Sequence, residues 1–257
     1  MRCFIYFSYC GTRYHGWQYQ PNALSVQETL EGALRLLLRE PVSTVAAGRT
    51  DTGVHARLMV AHCDLPDNFP VADEALTAAL SSLVFRLNGL LPKDIAVQKI
   101  VPVAADAHAR FDALSRTYEY HITTGKDPFR DGLVTRLYHT PDFNLMNRAA
   151  TMLLAETDFA SFCKAHSDNK TTICHLKRAF WEQQADDYWV FTIEADRFLR
   201  NMVRALVGTL MEVGRGRMTL QQFADIVQRH NRSAAGESMP AEGLYLTDIT
   251  YPTHIFL

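Results

Sequence analysis

The sequence predicts an α+β fold built around a largely antiparallel sheet. Helix-like segments, with apolar residues at helical spacing, are interleaved along the chain with strand-like runs. Two of these runs, near 174–183 and 187–195, are joined by the short polar turn 184–187, as in an antiparallel hairpin. Helices interleaved with hairpin-like strand pairs indicate the α+β class.

The first half of the chain begins with a predicted strand over 2–9. A helix over 26–39 follows, opened by Ser25 with Glu28 three positions on, which is a capping-box pattern. The other elements predicted in this half are strands over 57–64, 94–101 and 116–124 and a helix over 73–88 that Asn88-Gly89 would end.

The second half predicts the same alternation of elements. Its predicted elements are helices over 144–155 and 198–213, a helix that starts after Thr219 with a capping-box partner at Gln222, the hairpin described above and a final strand over 244–251. The stretch 126–144, rich in Pro, Gly and Asp, predicts a boundary between two halves, 1–125 and 126–257.

The composition is that of an ordinary globular protein, with 47% hydrophobic and 21% charged residues. No apolar run approaches the length of a membrane-spanning helix, and the N-terminus is typical of a strand and not of an export signal. Five scattered cysteines favour reduced thiols in a cytoplasmic protein over a disulfide framework.

No cofactor or metal is expected from the motifs. The chain has no P-loop and no dinucleotide-binding glycine pattern. The one compact group of Cys and His residues matches no standard zinc spacing, which favours buried thiols; its members are Cys163, His166, Cys174 and His175.

The distribution of charge is more informative than the net charge of -2. Twenty of the 26 basic residues are arginine, which suits forked contacts with phosphate. The segment from Arg197 to Arg217 carries five arginines and one acid, Glu212. Such a stripe is compatible with a phosphate-bearing partner, although a solvated arginine-rich face is the alternative.

The sharpest local motif is Gly48-Arg49-Thr50-Asp51-Thr52-Gly53-Val54-His55-Ala56. Two glycines bracket a carboxylate and an arginine between strand-like segments, so a tight turn could present Asp51 as a nucleophile or general base. The alternative is an Asx-type turn in which Asp51 bonds only to its own loop.

A second motif, Arg197 to Arg204, opens the predicted helix 198–213. Arg200 and Arg204 lie one turn apart at the border of an apolar stripe, so at least one should be partly buried and need a carboxylate or phosphate partner. Asp51 is a candidate partner, and an ordinary ion pair is the alternative.

Two further segments carry aromatic residues. Tyr118 and Tyr120 share one face of a predicted strand, where a phenol could stack on a base and transfer a proton, or simply pack in the core. The loop from Tyr9 to Gln20 interleaves aromatic, basic and glycine residues, which is compatible with gripping nucleic acid or with a packed loop.

Together and in this order, these segments resemble the tRNA pseudouridine synthase A family over nearly the whole chain. The matching segments are Tyr9–Gln20, Val26–Glu31, Gly48–Ala56, His108–Tyr120, Phe198–Gly208 and Ala235–Leu246. The chain departs from the common pattern at Cys10, Ala107 and Met239, where the family often has Asp, an aromatic residue and Ala.

The resemblance implies a role for each site residue. Asp51 matches the catalytic aspartate, Tyr118 the active-site tyrosine that contacts the target base, and Arg204 the arginine that pairs with the aspartate. The remaining expected contacts with the substrate are Arg49, which would help to displace the target nucleotide, and His55, Arg200 and Gln18.

The resemblance also implies the fold and the reaction. The expected fold is two α/β halves that share one long, largely antiparallel sheet, with helices on one side and a cleft between the halves. The expected protein is a homodimer without metal or organic cofactor. Its expected substrates are uridines in the anticodon arm of tRNA, at about nucleotides 38 to 40, each flipped out of the helix before reaction. A tRNA-binding chaperone and a nucleoside hydrolase are the alternatives.

Overall fold

The computed structural model describes residues 1–70, 72–164 and 170–257. Its contacts divide the chain into two compact units, one formed by Met1–Leu114 with Leu246–Leu257 and the other by Ser115–Tyr245. Each unit combines helices with mainly antiparallel strands, which confirms the α+β class.

The strands and helices follow the predicted order along the chain. The strands are β1 (Arg2–Tyr9), β2 (Val45–Ala46), β3 (His55–Asp64), β4 (Ile95–Pro102), β5 (Ser115–Thr123), β6 (Thr135–Arg136), β7 (Leu176–Ala185), β8 (Tyr188–Ala195) and β9 (Leu244–Thr250). The helices are α1 (Val26–Leu38), α2 (Asp73–Leu90), α3 (Phe143–Met152), α4 (Met202–Gly214) and α5 (Leu220–Gln228).

In the first unit the strands lie in the order β4–β1–β3–β9, and β2 pairs with β3. Strand β1 is antiparallel to both β3 and β4, with Cys3 opposite Cys63 and Tyr9 opposite Ala56. Because β3 begins at His55, the motif that contains Asp51 ends directly at the start of a central strand of this sheet.

In the second unit the order is β5–β8–β7, with the short β6 parallel to β5. The predicted hairpin is confirmed, since β7 and β8 pair antiparallel. Helix α4 packs against α3 and α5, and most of its residues are buried. The apolar core of this unit includes the fully buried rings of Tyr120, Phe191 and Phe223.

Local sequence chemistry explains the starts of α1 and α5. The Thr219 hydroxyl accepts from the Gln222 N–H at 3.2 Å, and the Gln222 side chain accepts from the Thr219 N–H at 2.8 Å, so the predicted capping box is confirmed. At α1 the Ser25 hydroxyl accepts from the Glu28 N–H at 3.2 Å.

Two predicted helix bounds are wrong. Helix α2 continues through Asn88-Gly89 to Leu90, because the Asn88 side chain bonds both the N–H and the C=O of Val97 instead of ending the helix. Helix α4 begins at Met202 and not at residue 198, because Asn201 has a left-handed conformation with φ of 65°.

The compact units differ from the predicted halves 1–125 and 126–257 in two respects. Strand β5 belongs to the second unit because it pairs along its length with β8, and residues 246–257 return to the first unit. As a statement about domains, the predicted halves stay a prediction. Among the described residues, no helix is both long and apolar enough to cross a membrane.

Candidate functional site

In the first unit, Asp51 lies on a loop that a second loop supports. We call residues 48–54 the aspartate loop and residues 9–17 the supporting loop. The Trp17 N–H donates to the Thr50 carbonyl at 3.3 Å, and the Gly53 N–H donates to the Tyr14 carbonyl at 3.2 Å. The aspartate loop is therefore held on both sides of Asp51 by backbone hydrogen bonds.

A buried hydroxyl pair adds a third connection between the two loops. Tyr9 is 4% and Thr50 8% exposed, and their side-chain oxygens are 2.8 Å apart. Asp51 itself is half-buried, and its neighbour Thr50 anchors the loop to Tyr9.

Glycines allow the close approach of the two loops. Gly16 has φ of 87°, and a Cβ there would overlap the Thr50 carbonyl oxygen. A Cβ at Gly11 would overlap the Val54 carbonyl oxygen. Any other residue at either position would push the aspartate loop away from its support.

His55 lies beneath the aspartate loop. Its side chain is 1% exposed, and its Nδ1 accepts from the Gly11 N–H at 3.0 Å. The direct contact with substrate expected for His55 stays a prediction. Arg49 and Gln18, the other two predicted binding residues of this unit, are both exposed.

In the second unit, Tyr118 lies on β5 opposite Ile193 of β8. It is 9% exposed, and its ring packs edge-on against Phe198 with the centroids 5.0 Å apart. Tyr120 is fully buried, and its hydroxyl donates to the Pro240 carbonyl at 2.8 Å. Burial is the main cause that raises the pKa of Tyr120 above its usual range, so this phenol stays protonated.

Arg204 lies in the first turns of α4 and is half-buried, whereas Arg200 precedes the helix and is exposed. The prediction that at least one of them is partly buried is confirmed. Arg204 makes two bonds with one residue: its Nε–H donates to the Met239 carbonyl at 2.6 Å, and its own carbonyl accepts from the Met239 N–H at 3.0 Å. The guanidinium is therefore oriented by main-chain atoms.

The predicted site residues divide between the two units. Asp51, Arg49, His55 and Gln18 lie in the first unit, and Tyr118, Arg200 and Arg204 lie in the second. Within each unit, hydrogen bonds or ring packing hold at least one side chain that could take part in a reaction. The first offers a carboxylate for nucleophilic or base chemistry, and the second offers a guanidinium and a phenol.

Comparisons with known proteins identify the family. A tRNA pseudouridine synthase A of Parabacteroides distasonis is 54% identical to the chain over 99% of its length and 98% of the relative. The enzyme of that name from Porphyromonas gingivalis is 53% identical over 100% of the chain and 99% of the relative. The chain belongs to the tRNA pseudouridine synthase A family. A more distant relative of that name, from Acetivibrio thermocellus, is 39% identical over 95% of the chain and 96% of its own length. The family model described as tRNA pseudouridine synthase matches residues 149–252.

The geometry explains one departure from the common pattern of this family of isomerases. Met239 stands where an alanine is frequent, yet both of its bonds with Arg204 use main-chain atoms. The side chain at position 239 can therefore vary without changing how Arg204 is held. Cys10 is half-buried, and its thiol lies 3.3 Å from the Thr12 hydroxyl.

No group of three or more potential metal ligands occurs among residues 1–70, 72–164 and 170–257. Of the Cys and His group noted in the sequence, His166 lies outside the described residues. Cys163 and Cys174 are buried, and burial raises the pKa of the Cys174 thiol to about 12. His175 is bonded through Nδ1 to Asp196 at 2.8 Å.

Sequence reasoning missed the residues that support the site. It did not single out Tyr9, Thr50 or the segment around Met239 as positioning groups, although all lie within the segments that match the family. For the segment around Met239, the available signal was the pair of glycines at 208 and 236. These glycines allow the two segments to approach closely, since a Cβ at Gly208 would overlap the Glu237 carbonyl oxygen. Small residues in two distant segments are typical of such a close approach.

Proposed function

We propose that the protein converts uridine to pseudouridine in the anticodon arm of tRNA, at about nucleotides 38 to 40, with Asp51 as the catalytic carboxylate acting on a flipped-out nucleotide. Membership of the tRNA pseudouridine synthase A family supports the reaction and tRNA as the substrate. The nucleotide positions rest on the resemblance of the motifs.

The observation that carries the proposal is the way in which Asp51 is presented. The carboxylate is half-buried on a loop with a backbone bond to the supporting loop on either side. A nucleophile or base needs a fixed position, because a displacement of about 1 Å is enough to cost about 100-fold in rate. Arg49 lies two residues away in the sequence and is exposed.

The reaction breaks the N1–C1′ bond, turns the uracil within the pocket and joins C5 to C1′. Asp51 can attack C1′ or C6, or it can assist removal of the C2′ proton in a route through a glycal. In every route the C5 proton leaves at the end, and the base never departs from the protein. No redox step or external group enters the balance, so we expect no metal or organic cofactor.

Arg204 and Tyr118 take the supporting roles in this proposal. Arg204 pairs with Asp51 through a charge-assisted hydrogen bond, which fixes the position of the carboxylate. Tyr118 contacts the flipped uracil and passes on the C5 proton. The edge-on contact of Tyr118 with Phe198 supports this assignment because it fixes the plane of the phenol.

The remaining predicted residues act on the RNA. Arg49, Arg200 and Gln18 are exposed and contact the nucleotide or its phosphates. His55 also contacts the substrate in this proposal, and its Nδ1 accepts from the Gly11 N–H of the supporting loop. We further propose a cytoplasmic homodimer in which two α/β halves share one long sheet, with helices on one side and the target uridine bound in a cleft between the halves.

Chemical mapping of pseudouridine in bulk tRNA, from cells with and without the protein, tests the proposed function. We expect the loss to be confined to the anticodon arm, and loss elsewhere would contradict the proposed position. The purified protein should form pseudouridine without releasing uracil, whereas free uracil in the reaction would identify a hydrolase. Binding of tRNA with no change in its bases would identify a chaperone.

A further inference from the structure

A short segment after the 3₁₀ turn Arg232–Ala234 runs along the first turns of α4. We call residues 236–239 the strap. At one end of the strap, Met239 makes the two bonds with Arg204. At the other end, the Gly236 N–H donates to the Thr209 hydroxyl at 2.9 Å, and a Cβ at Gly236 would crowd the backbone of Gly208.

Ser238 joins the strap to two other parts of the second unit. Its hydroxyl oxygen accepts from Asn201 Nδ2 at 2.6 Å and from the Arg232 guanidinium at 2.9 Å. A hydroxyl has two acceptor positions, so both are occupied. Arg232 also donates to the Gly236 carbonyl at 3.0 Å, and this second bond holds the strap on the other side of Ser238.

Asn201 connects Ser238 to the start of α4. It has the left-handed conformation that a non-glycine residue rarely adopts, and its side chain does not cap the helix. Instead that side chain is used for the bond to Ser238. The bond therefore stabilises the backbone kink from which α4, and with it Arg204, begins.

These contacts converge on the orientation of one guanidinium. Because Nε of Arg204 is bonded to the Met239 carbonyl, the position of the strap sets the plane and direction of the rest of the group. We propose that Ser238, held by Asn201 and Arg232, is a positioning residue that orients Arg204 for the reaction. This inference rests on the proposed role of Arg204 in catalysis.

The proposal separates an effect on rate from an effect on binding. Ser238 is half-buried and acts on a group that the proposed function assigns to the chemistry. The Ser238→Ala variant should lower the single-turnover rate about tenfold, since a catalytic group displaced by a fraction of an ångström loses rate on this scale. The Kd for tRNA should stay within about twofold, and Ser238→Thr, which keeps the acceptor oxygen, should restore most of the rate.

A double-mutant cycle with Arg204→Lys tests whether Ser238 acts through Arg204. In that background Ser238→Ala should change the rate by less than about twofold, because the group that it orients is no longer there. Asn201→Gly provides a second variant, since glycine keeps the left-handed backbone but removes the bond to Ser238. It should lower the rate in the same direction as Ser238→Ala, and the exposed Ser233→Ala should leave it unchanged.

The outcomes distinguish this inference from the proposed function. An equal loss of rate from Ser238→Ala in both backgrounds would overturn the positioning role while leaving Arg204 catalytic. A tRNA affinity that falls as much as the rate, or no rescue by threonine, would overturn it as well. An Arg204→Lys enzyme with the full rate would instead remove Arg204 from the reaction, and the inference would fall with it.

Discussion

The aspartate loop and the start of α4 are each supported by a second segment that packs closely against them, but the two supports use different kinds of hydrogen bond. In both places a glycine allows a second segment to approach closely, at Gly16 in the first unit and at Gly208 in the second. The aspartate loop is then held by backbone bonds and by the buried Tyr9–Thr50 pair. Arg204 is held by a strap that depends on half-buried side chains such as Ser238.

The difference indicates how each group responds to change. A support made mainly of backbone bonds and a left-handed glycine has little room to adjust, because a side chain added at the glycine would move the chain. A support that runs through side-chain bonds can be weakened one bond at a time. We therefore expect variants of the first unit to affect folding and activity together, and variants of the strap to affect mainly the rate.

The largest expected effect is that of Gly16→Ala. The new Cβ would overlap the Thr50 carbonyl oxygen, and the residue would keep a φ of 87° that disfavours any side chain. We expect a loss of about 3–4 kcal/mol in the free energy of unfolding, from the sum of backbone strain and overpacking. Urea denaturation checks this value.

Gly48→Ala is the matched control, since a Cβ there would meet no atom within 4 Å. It should change the free energy of unfolding by less than about 1 kcal/mol. Equal effects of the two variants would show that the close approach at Gly16 has no importance, and the contrast between the two supports would fail.

A somewhat smaller effect is expected from pH. Burial, followed by the charges of His108 and Arg2, lowers the pKa of His62 on β3 from 6.5 to about 4. The neutral ring accepts the Ala109 N–H at Nδ1, 3.1 Å away. Because the folded pKa is the lower one, this stabilisation is complete above pH 6.5 and is lost as the pH falls towards 4. The loss should reach up to roughly 3 kcal/mol in the first unit.

Amide exchange resolved by segment would separate the two units. In the second unit the carboxyl pKa values of Asp158, Glu194 and Asp196 are lowered, since bonds to these carboxylates outweigh their burial, so that unit should lose stability only below about pH 4. We expect β3 to be deprotected first, and His62→Gln to abolish that step. A pH profile that is the same in both units would contradict the assignment.

The smallest effect is that of Tyr9→Phe. It removes one buried hydrogen bond and leaves the Thr50 hydroxyl without that partner, so we expect a loss of about 1–2 kcal/mol and a modest loss of rate. Tyr19→Phe, at a ring that is 54% exposed, serves as the control in thermal denaturation. A Tyr9→Phe protein as stable and as active as the control would remove the hydroxyl pair from the support.

Much of the fold could be predicted from the sequence where the signal is local. The strand predicted over 116–124 and the capping box at Thr219 and Gln222 depend only on neighbouring residues, and both are confirmed, as β5 (Ser115–Thr123) and as the cap of α5. The ends of α2 and α4 were not predictable in the same way. Asn88 stays helical because its side chain bonds to Val97 on β4. Asn201 has a left-handed backbone, and its side chain bonds to Ser238, 37 residues away.

For the candidate site, the sequence predicts the reactive residues but not the contacts that hold them. The motifs and the resemblance were sufficient to select Asp51, Tyr118 and Arg204, and their roles stay predictions. The supports around them were not predictable, because bonds such as that between Arg204 and the Met239 carbonyl use main-chain atoms, which any residue provides. Likewise, residue type alone could not tell that the His55 ring is buried and accepts a bond from the Gly11 N–H.

The most direct test of the central claim is tritium release from C5-labelled uridine in tRNA by the Asp51→Asn variant. Asparagine keeps the size of the side chain but removes its charge and basicity, so we expect turnover to fall by about 10²–10⁴-fold or more while tRNA still binds. Asp106→Asn, at an exposed aspartate of the same unit, should keep the wild-type rate. Substantial turnover by Asp51→Asn would contradict the account, because the carboxylate that the aspartate loop presents would then have no part in the chemistry.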